Sequence, residues 1–312
     1  MARGPPPWGR VVGDDQEVPM SDRVTVQITD GVADVRLNRP DKLNALDGDM
    51  FVALVDASAR LARDTSVGAV VLSGEGRAFS AGLDFSGFMA MAGGRGTVDS
   101  GGPADADTAD ADTGAGASGQ AAGDLGAIGR TDGRITHLAQ QAAHGWSEVP
   151  VPVIAAVQGH CLGGGLQIAL GADIRIVHPD AKLSVLEIRW GLSPDMTATA
   201  TLPRLVGIDV AKELTWTGRN VSGTEAVALG LCTRASDDPL ADALALARDI
   251  AGRSPGAIRG TKRLLEQSGQ VPLAQQYADE RHTIASLIGT PNQVEAVAAF
   301  FEKRAPSFAD PD

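Results

Sequence analysis

Two short apolar runs, residues 67–72 and 151–157, each break directly into a glycine-containing turn, and this repeated arrangement constrains the fold more than any other feature of the chain. Runs of this length, bounded by turn residues, read as short buried strands. The first turn is Gly74-Glu75-Gly76-Arg77-Ala78-Phe79-Ser80-Ala81-Gly82-Leu83-Asp84 and the second is Gly159-His160-Cys161-Leu162-Gly163-Gly164-Gly165-Leu166-Gln167. Strands and helices alternate around them. Residues 24–28 and 32–37 alternate apolar and polar about Asp30-Gly31, a hairpin signal. Asp47 can cap a helix whose apolar residues Phe51, Leu54, Val55 and Leu61 share one side. Residues 163–172 are helical in pattern, residues 173–177 and 182–185 return as strands, and the chain after Asp195 reads mainly as helices. This order predicts an α/β fold with a helical C-terminal part.

Two segments do not fit that pattern. Residues 1–19 contain Pro5-Pro6-Pro7 and the acids Asp14, Asp15 and Glu17, without the apolar core of a signal peptide or the acid-poor composition of a transit peptide. Met20-Ser21-Asp22 would make an ordinary start to the first strand, so the tail is expected to be a disordered extension or the product of an upstream start codon. In residues 93–133 Gly, Ala and Asp dominate, and Val98, Leu125 and Ile128 are the only large aliphatic side chains. So little apolar surface does not offset the entropy of ordering, and a flexible insertion is expected. Its Asp residues lack the central Gly and closing Glu of a calcium loop. The insertion holds seven Asp against two Arg, a large share of the net charge of −12 carried by the 312 residues. The expected organisation is an extension over 1–19, a core over 20–217 interrupted by 93–133, and a helical region over 218–312.

An acidic chain without a basic run is a poor partner for nucleic acid or an anionic membrane. Its longest apolar stretches, such as residues 149–157, fall well short of the roughly 20 residues a membrane helix needs. Two cysteines, Cys161 and Cys232, give no disulfide framework and suit a reducing compartment, read here as the cytoplasm. The five histidines lack ligand spacing, so no metal is expected. The adjacent His160 and Cys161 point apart on an extended segment and make a poor nucleophile and base pair.

Neither glycine turn is a nucleotide loop. Phe79 stands where a dinucleotide fingerprint needs its third Gly, and the second turn has no Lys-Ser/Thr after its glycines. Ala78 likewise spoils a nucleophile elbow. What such turns offer is exposed backbone N–H, and a helix beginning at residues 163–165 would aim its unpaired donors at a ligand. Two converging N–H groups could hold an oxyanion.

Several motifs together resemble the crotonase, or enoyl-CoA hydratase/isomerase, superfamily. They are Asn38-Arg39-Pro40-Asp41-Lys42-Leu43-Asn44-Ala45-Leu46, the 79–84 turn, residues 152–167, Asp173-Ile174-Arg175, residues 187–195 and Phe301-Glu302-Lys303-Arg304. The resemblance implies a spiral ββα core, a C-terminal helical trimerisation region, a homotrimer or hexamer, and an acyl-CoA thioester as substrate. No cofactor is implied beyond the CoA of the substrate itself. It further implies that the N–H groups of Leu83 and Gly164 bind the thioester oxygen, that the backbone of Lys42, Leu43, Ala45 and Ala81 lines the CoA channel, and that Lys303 lies near the CoA phosphates. The alternative for Lys303 is an exposed helix charge. Phe85, Phe88, Met89 and Met91, leading into the insertion, would line the acyl pocket.

Family hydratases hold their attacking water between two glutamates, and this chain resembles them at only one, Glu187. The other position is Gln167, whose amide can orient water or face the pocket but does not accept a proton at accessible pH. Asp195, eight residues beyond Glu187, resembles the second acid of dienoyl-CoA isomerases, although Asp is also a common helix N-cap. An enoyl- or dienoyl-CoA isomerase using Glu187 is therefore favoured. A hydratase with Glu187 acting alone, and an acyl-CoA-binding protein with little turnover, are the alternatives. Asp84 is expected to fix its turn through its own backbone bonds.

Overall fold

The computed structural model describes residues 22–84, 131 and 133–310. The N-terminal tail, most of the insertion and Phe85, Phe88, Met89 and Met91 therefore lie outside the described residues. Strands β1 (Val24–Thr29) and β2 (Val32–Leu37) form the expected hairpin. Asp30 and Gly31, at φ 50° and 75°, supply the two-residue turn whose twist matches that of the flanking strands.

The main sheet has six strands in the order β1, β2, β3 (Ala69–Gly74), β4 (Val153–Val157), β6 (Ile174–Val177) and β9 (Arg234–Ala235). Every pairing after the first is parallel. A second sheet joins β5 (His160–Leu162), β7 (Lys182–Ser184) and β8 (Val221–Ser222).

Alternation along the central strands divides the interior in two. Val70, Leu72, Val153, Ala155 and Val157 face a core closed by helices α1 (Gly48–Leu61), α2 (Leu138–Glu148) and α3 (Gly164–Leu170). Ala69, Val71, Ile154 and Ala156 face the other way, onto Ala243 and Ala247 of α7 (Pro239–Ala251). Strands covered on both faces read as continuous apolar runs, which is why 67–72 and 151–157 were legible. Asp47 caps α1 as expected, accepting the Met50 N–H at 2.9 Å.

Helices α4 (Ala198–Val206) and α5 (Ile208–Thr217) lie between β7 and β8, α6 (Gly223–Ala228) follows β8, and α8 (Pro255–Glu266), α9 (Leu273–Leu287) and α10 (Pro291–Glu302) end the chain. The region beyond residue 217 is not helical throughout: it contributes β9 to the main sheet and α7 to the second core. Among the described residues no helix is long and apolar enough to cross a membrane.

Candidate active site

β3 and β4 are neighbours, so the turns that follow them leave the same end of the sheet, the usual place for a site in an open parallel sheet. The turns then run side by side. Phe79 N–H donates to Gln158 O, Ser80 N–H to His160 O and Leu162 N–H to Ser80 O, all within 2.9–3.0 Å.

The 38–46 loop closes the other side of the first turn. Ala81 N–H donates to Leu43 O, Leu46 N–H to Gly82 O and Asp84 N–H to Leu46 O at 2.8–2.9 Å. Because the bonds to Leu46 use the residues flanking Leu83, the Leu83 N–H points away from that loop. Gly164 is the first residue of α3, where helix N–H groups have no intrahelical acceptor. Neither the Leu83 nor the Gly164 N–H donates to a backbone carbonyl among the described residues. The structure thus places the two expected donors on adjoining turns, and it brings Leu43, Ala45 and Ala81 together beside them, with Lys42 exposed at the edge.

Two residues whose importance the sequence did not disclose hold this arrangement. Asn44 is fully buried at φ 55°, donates through Nδ2 to Glu75 O (3.0 Å) and Ala78 O (2.8 Å), and accepts the Arg39 N–H through Oδ1 at 2.8 Å. Arg39 reaches Asp84 at 2.8 Å and the Ala45 carbonyl at 2.9 Å. Asp84 therefore ties its turn to Arg39 as well as through its backbone. Asn44→Ala leaves buried backbone groups without partners and puts Ala in a left-handed conformation; it is expected to cost about 3 kcal/mol in urea unfolding.

Glu187 opens a 3-10 turn (Glu187–Trp190) close to the second glycine turn. A Cβ on Gly163 would lie 3.5 Å from its Oε1. That oxygen accepts a 2.6 Å hydrogen bond from Gln167 Nε2, whereas Oε2 is buried and makes no hydrogen bond among the described residues. Burial is the main cause that raises the Glu187 carboxyl above its ordinary range; the backbone N–H of Glu187 itself and then the Gln167 bond oppose it, and the Asp195 charge adds to it.

Asp195 keeps contact with solvent, yet the protein packed around it raises its carboxyl too, against the pull of His137. It is not the helix cap the sequence allowed. The N-cap of α4 is Thr197, at φ 77° and without a side-chain hydrogen bond, and the acceptor for this segment comes from Gln167. His137 caps α2 and sits 58 positions from Asp195, so no local pattern links the two.

Lys303 is not at this site within one chain. Its neighbours Ala299, Phe300 and Arg304 share a groove with Arg248, Asp249, Gly252 and Arg253 at the end of α7. Ala251 there packs on Gly68 and Gly31, just before β3 and β2, whereas the glycine turns follow the opposite ends of the strands. The end of α10 thus lies along the end of α7, which sequence spacing could not show. Cys161 is fully buried, its thiol pushed far up by desolvation, so it is no nucleophile. Among the described residues no cluster of His, Cys, Asp and Glu could hold a metal.

Two adjoining backbone donors with one half-buried carboxylate beside them suit the handling of a carbonyl and the proton next to it. A family profile described as enoyl-CoA hydratase/isomerase matches residues 27–100 and 114–311. The chain belongs to the enoyl-CoA hydratase/isomerase family. It is 33% identical over 286 residues to the human mitochondrial enoyl-CoA hydratase domain-containing protein 2, covering 89% of this chain and 85% of that protein. The short-chain-enoyl-CoA hydratase of Clostridium acetobutylicum is 30% identical over 276 residues, 88% of this chain and 92% of the relative. The crystal structure of an enoyl-CoA hydratase from Bacillus anthracis superposes with a TM-score of 0.75 at 27% identity, covering 93% of this chain and all of that one. The crotonase-type α/β fold expected from the sequence is thus the fold of its enoyl-CoA hydratase/isomerase relatives.

Proposed function

We propose that this enoyl-CoA hydratase/isomerase family enzyme moves a double bond in an acyl-CoA thioester, with Glu187 as the proton carrier. One observation carries the choice of isomerisation. The Gln167 amide oxygen is committed to the protein: it accepts from Met196 N–H at 2.9 Å and Ala198 N–H at 3.2 Å, and the nitrogen gives one of its two N–H groups to Glu187. No acceptor is left there to orient a water for attack, whereas Glu187 Oε2 remains open to a proton.

In a 3-enoyl-CoA the thioester oxygen would accept from the N–H groups of Leu83 and Gly164. Glu187 Oε2 would take a proton from C2, giving a dienolate whose charge those donors stabilise. The protonated Glu187 would then return the proton at C4, leaving the double bond between C2 and C3. A single carboxyl group suffices for that short shift. Asp195, electrostatically coupled to Glu187, would serve as the second acid on a dienoyl substrate. Backbone at Lys42, Leu43, Ala45 and Ala81 would line the CoA channel. Hydration with Glu187 alone is the second reading, favoured by the names of the relatives.

The test is an assay of the purified protein on 2-enoyl-, 3-enoyl- and dienoyl-CoA of several chain lengths. Conversion of 3-enoyl-CoA is expected to dominate, and efficient hydration of 2-enoyl-CoA would overturn the choice. Because the base works ionised and burial raises its pKa, the acid limb of kcat/KM should lie above the ordinary glutamate value of about 4.3. A pH profile checks this.

Self-association also belongs to the proposal. Ile284 and Ile288 at the end of α9 and Val294, Phe300 and Phe301 on α10 are exposed, a concentration of apolar surface that a lone chain does not bury. Analytical ultracentrifugation should show a trimer or hexamer rather than a monomer.

A further inference from the structure

The side chain of Gln167 is almost completely buried, yet all its recorded hydrogen bonds go to two segments far along the chain. Its Nε2 holds Glu187 Oε1; its Oε1 holds the N–H groups on either side of Thr197. Thr197 is β-branched and stands at φ 77°, a conformation such residues avoid and keep only where the surroundings impose it. The first of those N–H groups belongs to Met196, whose sulfur packs on Gly164, lying 3.0 Å from where a Cβ of that residue would be. Asp195 immediately precedes Met196.

We propose that Gln167 is a positioning residue: its single amide clamps Glu187 to the 196–198 turn, sets which carboxylate oxygen faces the substrate, and fixes Glu187 relative to Asp195 and Gly164. This rests on the reading of Glu187 as the proton carrier.

The chemistry requires an amide. One face must donate to a carboxylate while the other accepts from two backbone N–H groups, and among side chains of this length only Gln offers both at every pH. Met would fill the space but offer no partner to any of the three groups. Glu would match the shape, but ionised it would set a second negative charge against Glu187; it could replace Gln only while protonated. The Gln167 bond also counters the burial that raises the Glu187 carboxyl, so losing it should make the base harder to ionise.

The experiment compares Gln167→Met, Gln167→Glu and Glu187→Gln with wild type. It reads solvent-deuterium exchange at C2 of trans-3-hexenoyl-CoA, together with kcat and KM for its conversion, across the pH range. Gln167→Met should lose kcat by about 10²-fold with KM nearly unchanged, the cost of a misplaced catalytic group, and shift the acid limb to higher pH. Gln167→Glu should retain activity at lower pH and gain an alkaline limb, absent from wild type, as the shared proton is lost. If Gln167→Met does not fold, the new limb of the isosteric Glu variant still decides the matter.

Unchanged pH profiles in folded Gln167 variants, alongside loss of exchange in Glu187→Gln, would overturn the positioning role while leaving the proton carrier in place. Exchange that survives Glu187→Gln would overturn both.

Discussion

Glu187→Gln is expected to lower isomerisation of a 3-enoyl-CoA by about 10²–10⁴-fold, the usual contribution of general acid–base catalysis, without abolishing thioester binding. The substitution keeps the shape of the side chain and removes the buried Oε2 as a proton acceptor. The proposed oxyanion donors are main-chain groups of Leu83 and Gly164 and stay where they are. The same variant should unfold at a higher urea concentration than wild type at neutral pH. Burial raises the Glu187 pKa in the folded state above its unfolded value, so ionisation of this group opposes folding. Below about pH 4 the carboxyl is protonated in both states and the two proteins should unfold alike. As pH rises through the raised folded value, only wild type loses stability. A variant that is less active and more stable marks a catalytic group held against its environment. A variant equally active, or destabilised at every pH, would contradict that role.

The second large effect is expected at Gly82. This residue sits at φ +88°, and a Cβ there would fall 2.7 Å from the Leu162 carbonyl oxygen, a main-chain atom of the opposing turn. Gly82→Ala must push the two turns apart or twist the peptide that carries the Leu83 N–H. Either movement spoils the alignment of the two donors. The expected loss is about 10²–10³-fold in kcat, the size measured when one oxyanion donor is removed elsewhere. A cost of about 1–3 kcal/mol in stability should accompany it. Gly269→Ala provides the control: it shares a left-handed φ of +75° but has open space around it and lies between α8 and α9. It should lose some stability and no activity.

Much of the fold was legible because its signals are local. The hairpin at Asp30-Gly31, the Asp47 cap and the buried strands that became β3 and β4 each follow from neighbouring residues, and all are present. The expectation of backbone donors at the two glycine turns also rested on local pattern, and the motifs tied them to one family. Other features depend on contacts between distant segments. Nothing near Asp195 signals that the following helix takes its acceptor from Gln167, 29 positions before Met196, so the cap reading was available from sequence and not realised. The ion pair of Arg39 with Asp84 and the packing that carries Lys303 away from the turns are likewise products of tertiary arrangement. The absent second carboxylate could be read directly. That the oxygen of the Gln in its place is taken up by the backbone of residues 196 and 198 could not, because one side chain identity is compatible with holding water or with holding the backbone.

The central claim, proton transfer by Glu187 at a thioester enolate without addition of water, is tested most directly by incubating trans-3-hexenoyl-CoA with the protein in heavy water. The account predicts trans-2-hexenoyl-CoA as the main product, solvent deuterium entering through exchange of the carboxyl proton, and loss of both signals in Glu187→Gln. Failure to form the 2-enoyl thioester, with rapid hydration of added 2-enoyl-CoA to the 3-hydroxyacyl-CoA, would contradict it.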